Sequence, residues 1–203
     1  MKRLLYVFGL LLVFSSCNTY KNMTEEEIAL INNGDTDTPY RVLLTTDKED
    51  SLFLRRKSID VDVDSIKDNK DLQLFIRRLA LTMDVESGVG IAAPQVGLGR
   101  NIFIFVRLDA PNYPVHAAIN PKIVGHSDEI VCFEGDGCLS IPGISGNTKR
   151  YAWIDVEYYN HHGELIKERL SGHSRDDDFT GVIFQHEYDH LQGVLFTDKL
   201  CDQ

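Results

Sequence analysis

Residues 186–190 read His-Glu-Tyr-Asp-His. Two histidines four apart on a helix share one face, with Cβ atoms about 6 Å apart, so both imidazoles can reach one metal ion. Glu187 points near the same ion, where a carboxylate can serve as general base toward water. Helical spacing puts Val182, His186 and His190 in one stripe and Ile183, Glu187 and Leu191 in the next, so these polar groups face the core. Imidazole and carboxylate groups buried without partners are costly, and a bound cation removes that cost.

A catalytic site of this kind needs a third protein ligand and an open position for water. Thermolysin-type endopeptidases take a Glu well downstream, but only thirteen residues follow His190. Metzincins continue with a Gly and a third His; Gly193 is present, but Phe196 stands where that His belongs. The third ligand is therefore expected upstream, from His116, His126, His161, His162, His173 or a cysteine. Gly135-Asp-Gly-Cys-Leu-Ser-Ile-Pro-Gly is the conspicuous segment, because backbone near glycine can approach an ion closely. A thiolate at Cys138 beside two imidazoles suits a soft or borderline divalent ion. The other glycine-rich segment, Gly88-Val-Gly-Ile-Ala-Ala-Pro-Gln-Val-Gly, lacks the third glycine of a dinucleotide fingerprint. Its small residues suit either a tight wall against a small substrate group, with Gln95 as amide donor, or a packed turn.

These groups need elements to hold them. From Asp71 to Val85, apolar residues at 72, 75, 76, 79, 80 and 83 predict an amphipathic helix, stopped by Gly88. The run Asn101 to Val106 predicts a strand buried on both faces. Ala117 to Pro121 and Trp153 to Tyr159 predict further strands, and Leu165 to Leu170 returns as a hairpin partner after the turn at Asn160–Gly163. Asp176, Asp177 and Asp178 favour the N-terminus of a helix over Thr180–Leu191, with Gly193 as its stop. The class is α+β: mostly antiparallel strands around a central metal-binding helix, with one N-terminal amphipathic helix.

The chain has 203 residues, hydrophobic residues are 43% and charged residues 26%, as expected of one globular domain with an appendage. Lys2 and Arg3, the apolar run Leu4–Phe14 and Ser15-Ser16-Cys17 have the pattern of a signal peptide. The break resembles the lipobox of bacterial lipoproteins, with Phe14 where Leu is usual; that resemblance implies a lipid on Cys17. We therefore expect a leader over 1–16, a polar tether over 17–50 with a short helical stretch, and a catalytic domain over 51–203. Without Lys2 and Arg3 the formal charge of −10 becomes −12, which argues against a nucleic-acid partner. Of the other cysteines, Cys132 and Cys201 can pair in an exported protein, and an odd thiol remains.

Gly88-Val-Gly-Ile-Ala-Ala-Pro-Gln95, Gly137-Cys138-Leu139-Ser140 and Gln185-His-Glu-Tyr-Asp-His190 together closely resemble the three signature motifs of bacterial peptide deformylases. The resemblance runs over about residues 51 to 200. It implies that Cys138, His186 and His190 bind one divalent metal, ferrous iron in first place, with zinc, nickel or cobalt as substitutes. It implies that metal-bound water attacks the formyl carbon of an N-formyl-methionyl peptide, with Glu187 as base and then acid, releasing formate. The Gln95 amide and the Leu139 backbone N–H would hold the oxyanion. Gly88, Val89, Gly90, Phe179, Val182 and Ile183 would border the substrate, whose extended backbone would pair beside Gly88–Gly90. A monomer is expected. The family usually has Glu where Asp136 stands; the shorter side chain is expected to weaken the support of Arg150, and Glu134 cannot replace it without a register change. A weak or inactive formyl-peptide binder is the alternative this raises. The leader implies work in the cell envelope on formylated peptides, or a cytoplasmic enzyme if it is not processed.

Overall fold

The uninterrupted apolar run after Asn101 forms a strand whose alternate side chains enter two different cores. A computed structural model describes residues 22–202. The expected leader over 1–16 and Cys17 lie outside the described residues. Strand β1 is Gly90–Ala92, β2 Ile102–Val106, β3 Val115–His126, β4 Ile130–Cys138, β5 Ile141–Tyr151, β6 Trp153–Tyr159 and β7 Leu165–Ser171. Five form an antiparallel sheet in the order β1-β2-β3-β6-β7, and β4 with β5 make a separate antiparallel hairpin. The helices are α1 (Glu25–Ile31), α2 (Lys48–Leu54), α3 (Lys70–Val85) and α4 (Thr180–Leu191).

One face of the five-stranded sheet packs Ile102, Ile104 and Ile119 against Leu72, Phe75 and Leu79 of α3. The other packs Phe103, Phe105, Ile154 and Val156 against Ile183, Phe184 and Leu191 of α4. Because successive residues of β2 point to opposite faces, both must be apolar. Phe184 anchors α4: its ring lies 4.8 Å from Phe103 and 5.4 Å from Phe105, edge-on to both. Burying each such side chain contributes about 1.5–3 kcal/mol, and here it also orients the opposite stripe of α4.

Helix α4 ends in a glycine cap. Gly193 has φ 71°, its N–H reaches His190 O, and the Val194 N–H reaches Asp189 O, the pairing that satisfies the last carbonyls of a helix. A Cβ at Gly193 would also come within 2.7 Å of the Arg55 carbonyl carbon. At the end of α3 the left-handed position is taken by Ser87 (φ 57°) rather than by the expected Gly88. Helix α3 is also not the first helix, since α1 and α2 precede it.

The expected polar tether needs correction over its described part. Thr24 caps α1 through a reciprocal pair with Glu27, and Ile31 is buried. Arg78, buried within α3, donates to Ile31 O at 2.6 Å and Thr38 O at 2.8 Å and lies over the Tyr40 ring. Buried Arg100 holds Glu27 and Asn22 O. Residues 22–50 thus pack on the domain, and the expected boundary at 51 falls inside α2. Two arginines, distant in sequence, satisfy polar groups that read as solvated.

Candidate metal centre

Helix α4 presents His186 and His190 toward the hairpin and Glu187 toward β1, and the last residue of β4 presents Cys138. One ligand atom from each of Cys138, His186 and His190 lies within 4.8 Å of the other two. Cys138 Sγ is 3.2 Å from His190 Nε2. The remaining histidines considered as third ligand do not join this cluster: His116 faces Tyr158, His126 stacks on Tyr151, His161 and His162 are tilted against each other, and His173 also stands outside it.

The hairpin supports the ligands. Asp136 Oδ1 lies 2.9 Å from His186 Nδ1, and Oδ2 accepts from Arg150 Nη2 at 2.7 Å and Thr148 Oγ1 at 2.8 Å. Arg150 is buried and also donates to Asp189 at 2.6 Å, whose other oxygen accepts from Lys199. The shorter Asp136 therefore reaches both His186 and Arg150, which corrects the expectation of weakened support. Burial opposes charge on Asp136, but the His186 hydrogen bond and the Arg150 guanidinium hold its carboxyl well below the usual range. Asp136 also fixes the His186 ring, the usual service of a carboxylate to a ligating imidazole. Glu134 serves elsewhere, accepting from Ser174 and Arg175.

Glu187 is buried, and burial pushes its carboxyl up to about 7. Its Oε2 and His190 Nδ1 have no hydrogen-bond partner among the described residues. A Cβ at Gly90 would lie 2.9 Å from the Glu187 carboxyl carbon, so only glycine lets β1 pass this close. Burial, and then the neighbouring His186, lowers the pKa of His190, keeping a neutral imidazole of the kind that ligates. A thiol, two imidazoles and a partnerless buried carboxylate together fit a divalent cation.

Gln95 sits in a short turn after β1. Its Oε1 accepts from Ala92 N at 2.8 Å, which turns Nε2 toward Ser140 Oγ (3.2 Å) and Cys138 Sγ (3.5 Å). The amide donor thus faces the cluster. Residue 43 holds the Gln95 carbonyl and residue 45 the Ser140 carbonyl through their backbone N–H groups.

A cavity of about 350 Å³ opens over these groups. Gly88, Val89, Gly90, Gln95, Cys138, Leu139, Phe179, Val182, Ile183, His186 and Glu187 all border it; His190 lies behind. Sequence reasoning missed Phe133 and Arg175 in the wall, and Thr148 and Asp189 in the support. Phe133, Thr148 and Arg175 belong to a hairpin and a loop whose contacts are long-range and leave no local pattern, while Asp189 lies in α4 and shows its role only through its distant partner Arg150. Cys132 and Cys201 are disulfide-bonded, leaving Cys138 free.

A family model described as polypeptide deformylase matches residues 41–203. The chain is 50% identical over 121 residues to peptide deformylase 2 of Nostoc sp., a stretch covering 56% of this chain and 63% of the relative. The aligned stretch thus spans about three fifths of that relative. The crystal structure of peptide deformylase from Thermotoga maritima superposes with a TM-score of 0.69 at 33% identity, covering 81% of this chain and 99% of the other. The Met-Ala-Ser-bound class I type b peptide deformylase from Acinetobacter baumannii gives 0.69 at 29% identity, covering 81% and 99%.

Proposed function

The chain belongs to the polypeptide deformylase family, and from that premise we propose that it hydrolyses the formamide of N-formyl-methionyl peptides, releasing formate and a free amine. One observation carries the reading. Three metal-ligand donors lie within 4.8 Å of one another at the base of a cavity bordered by a buried carboxylate whose Oε2 has no hydrogen-bond partner among the described residues.

Cys138, His186 and His190 would hold the ion, ferrous iron in first place, with zinc, nickel or cobalt able to replace it. Such an ion supplies Lewis acidity, which makes water nucleophilic near neutral pH. Glu187, with its carboxyl pushed up to about 7 by burial, takes the proton of the attacking water and passes it to the leaving nitrogen. The formyl carbon–nitrogen bond breaks as that nitrogen is protonated. The Gln95 amide and the Leu139 N–H donate to the carbonyl oxygen as it gains charge. Phe179, Val182 and Ile183 enclose the methionine side chain. The peptide backbone extends beside Gly88, Val89 and Gly90, where β1 is the terminal strand of its sheet. One chain carries every group required, which supports a monomer.

Residues 1–16 act as a leader, Cys17 carries a lipid, and the domain begins close behind it, facing the envelope. The leader pattern and the Cys132–Cys201 disulfide support this, since such bonds persist in oxidising compartments. Cys17→Ala should abolish membrane fractionation; unchanged fractionation removes the anchor. For the reaction, the test is formate release from formyl-Met-Ala-Ser beside Glu187→Gln. Activity of that variant equal to wild type would refute the role of Glu187.

A further inference from the structure

We propose that Arg175 is a specificity-determining residue of the substrate cavity, and that it admits formyl peptides whose first side chain carries a strong oxygen acceptor, methionine sulfoxide above all. This rests on the deformylase reading and narrows its substrate class.

The segment between β7 and α4 forms one wall of the cavity and is latched onto β4. Ser174 Oγ donates to Glu134 Oε1 at 2.5 Å, and the Arg175 backbone N–H donates to the same oxygen at 2.8 Å. The guanidinium then turns back, Nε donating to Glu134 O at 3.1 Å and Nη2 to Gly135 O at 2.5 Å. Gly135 has φ 64°, and a Cβ there would come within 3.4 Å of Arg175 Nε. The glycine therefore gives the latch its left-handed backbone conformation, while a Cβ would make only an ordinary contact with Arg175.

So held, the guanidinium lies 5.5 Å from the Phe133 ring centroid and 5.8 Å from that of Phe179. Both rings border the cavity, as Arg175 does itself. Two of its nitrogens are committed to carbonyls, while Nη1 has no partner among the described residues. A planar fork fixed on one side and free on the other, beside the aromatic wall of an apolar pocket, is a preorganised donor. A thioether sulfur is a weak acceptor. Oxidation converts it to a polar sulfoxide, whose oxygen can accept from Nη1. Norleucine has nearly the shape of methionine and no acceptor at all.

The test compares metal-loaded wild type, Arg175→Met and Arg175→Lys on three formyl tripeptides ending in Ala-Ser. Their first residues are norleucine, methionine and methionine sulfoxide. The readout is the ratio of kcat/KM for the sulfoxide to that for norleucine within one preparation, so metal content and folded fraction cancel. Removing a charged donor should lower this ratio about tenfold in Arg175→Met. Arg175→Lys, which keeps the charge but not the fork, should fall between. Equal ratios in wild type and Arg175→Met would overturn the assignment while leaving deformylation standing. If Arg175→Met folds too poorly to assay, the lysine variant decides, and an unchanged ratio there overturns the assignment. Absence of turnover on all three peptides by wild type overturns the deformylase reading and this inference with it.

Discussion

Replacing Asp136 with Glu restores the residue usual in the family, yet the structure says it should harm this chain. The Asp136 carboxylate already meets His186, Arg150 and Thr148 at 2.9, 2.7 and 2.8 Å, and it is buried. An extra methylene carries the carboxylate past the position from which it meets all three partners, so the His186 ring or Arg150 must shift. Overpacking of this kind costs about 1–3 kcal/mol. Asp136→Asn makes the complementary change. It keeps the shape but removes the charge facing Arg150 and weakens the hold on His186, and loss of such support lowers metal affinity about 10–100-fold. The assay is competitive metal titration against a chelator, with thermal unfolding of the metal-free protein in parallel. We expect Asp136→Glu to lower the melting temperature and Asp136→Asn to weaken metal binding. A Glu variant as stable as wild type that binds metal more tightly would refute the account of this support.

The other expectations follow from separate parts of the molecule. Gln95→Glu keeps the acceptor that holds Ala92 N but replaces the amide donor with an acceptor, so kcat should fall at least about 100-fold with metal content unchanged; a small change measured by steady-state formate release would remove Gln95 from the chemistry. The Cys132–Cys201 disulfide spans 69 residues, so Cys201→Ser should cost up to about 4 kcal/mol in denaturant unfolding, and no loss would show that the bond contributes little. Asp50 is held down to about 2, first by its hydrogen bond with Arg41 and then by the Leu44 N–H. Its folded value lies below the unfolded one, so its stabilisation is present above about pH 4 and is lost as pH falls toward 2. The protection factor of the Leu44 amide, the intrinsic exchange rate at each pH divided by the observed rate, should therefore fall across that window in wild type and show no such step in Asp50→Asn.

How far the sequence could be read depended on whether each element carries its own signal. Helix α4 was legible because its histidines, Glu187 and apolar residues share the helical period and Gly193 ends it. Strands β6 and β7 were legible from alternation and the Asn160–Gly163 turn. Hairpin β4–β5 was not, although it delivers Cys138 and Asp136. Its pairing shifts register between Phe133 and Asp136 and again between Gly137 and Cys138, so no strict alternation survives, and its glycines read as loop. Residues 22–50 read as solvated because Arg78 and Arg100, which satisfy their polar groups, lie far along the chain. The support at Asp136 is hidden in the sequence for a related reason. Side-chain length alone decides little when the backbone of a two-stranded hairpin can carry the carboxylate closer to its partners.

The central claim is that a metal held by Cys138, His186 and His190 works together with Glu187 on a formyl peptide. The most direct test measures metal content and formate release on one anaerobically purified sample. Iron is removed by a chelator and restored stepwise. The account requires formate release from formyl-Met-Ala-Ser to rise with bound metal up to one ion per chain, and to vanish in Glu187→Gln at equal metal content. Formate release that is independent of bound metal, or a fully loaded protein that releases none, would contradict it.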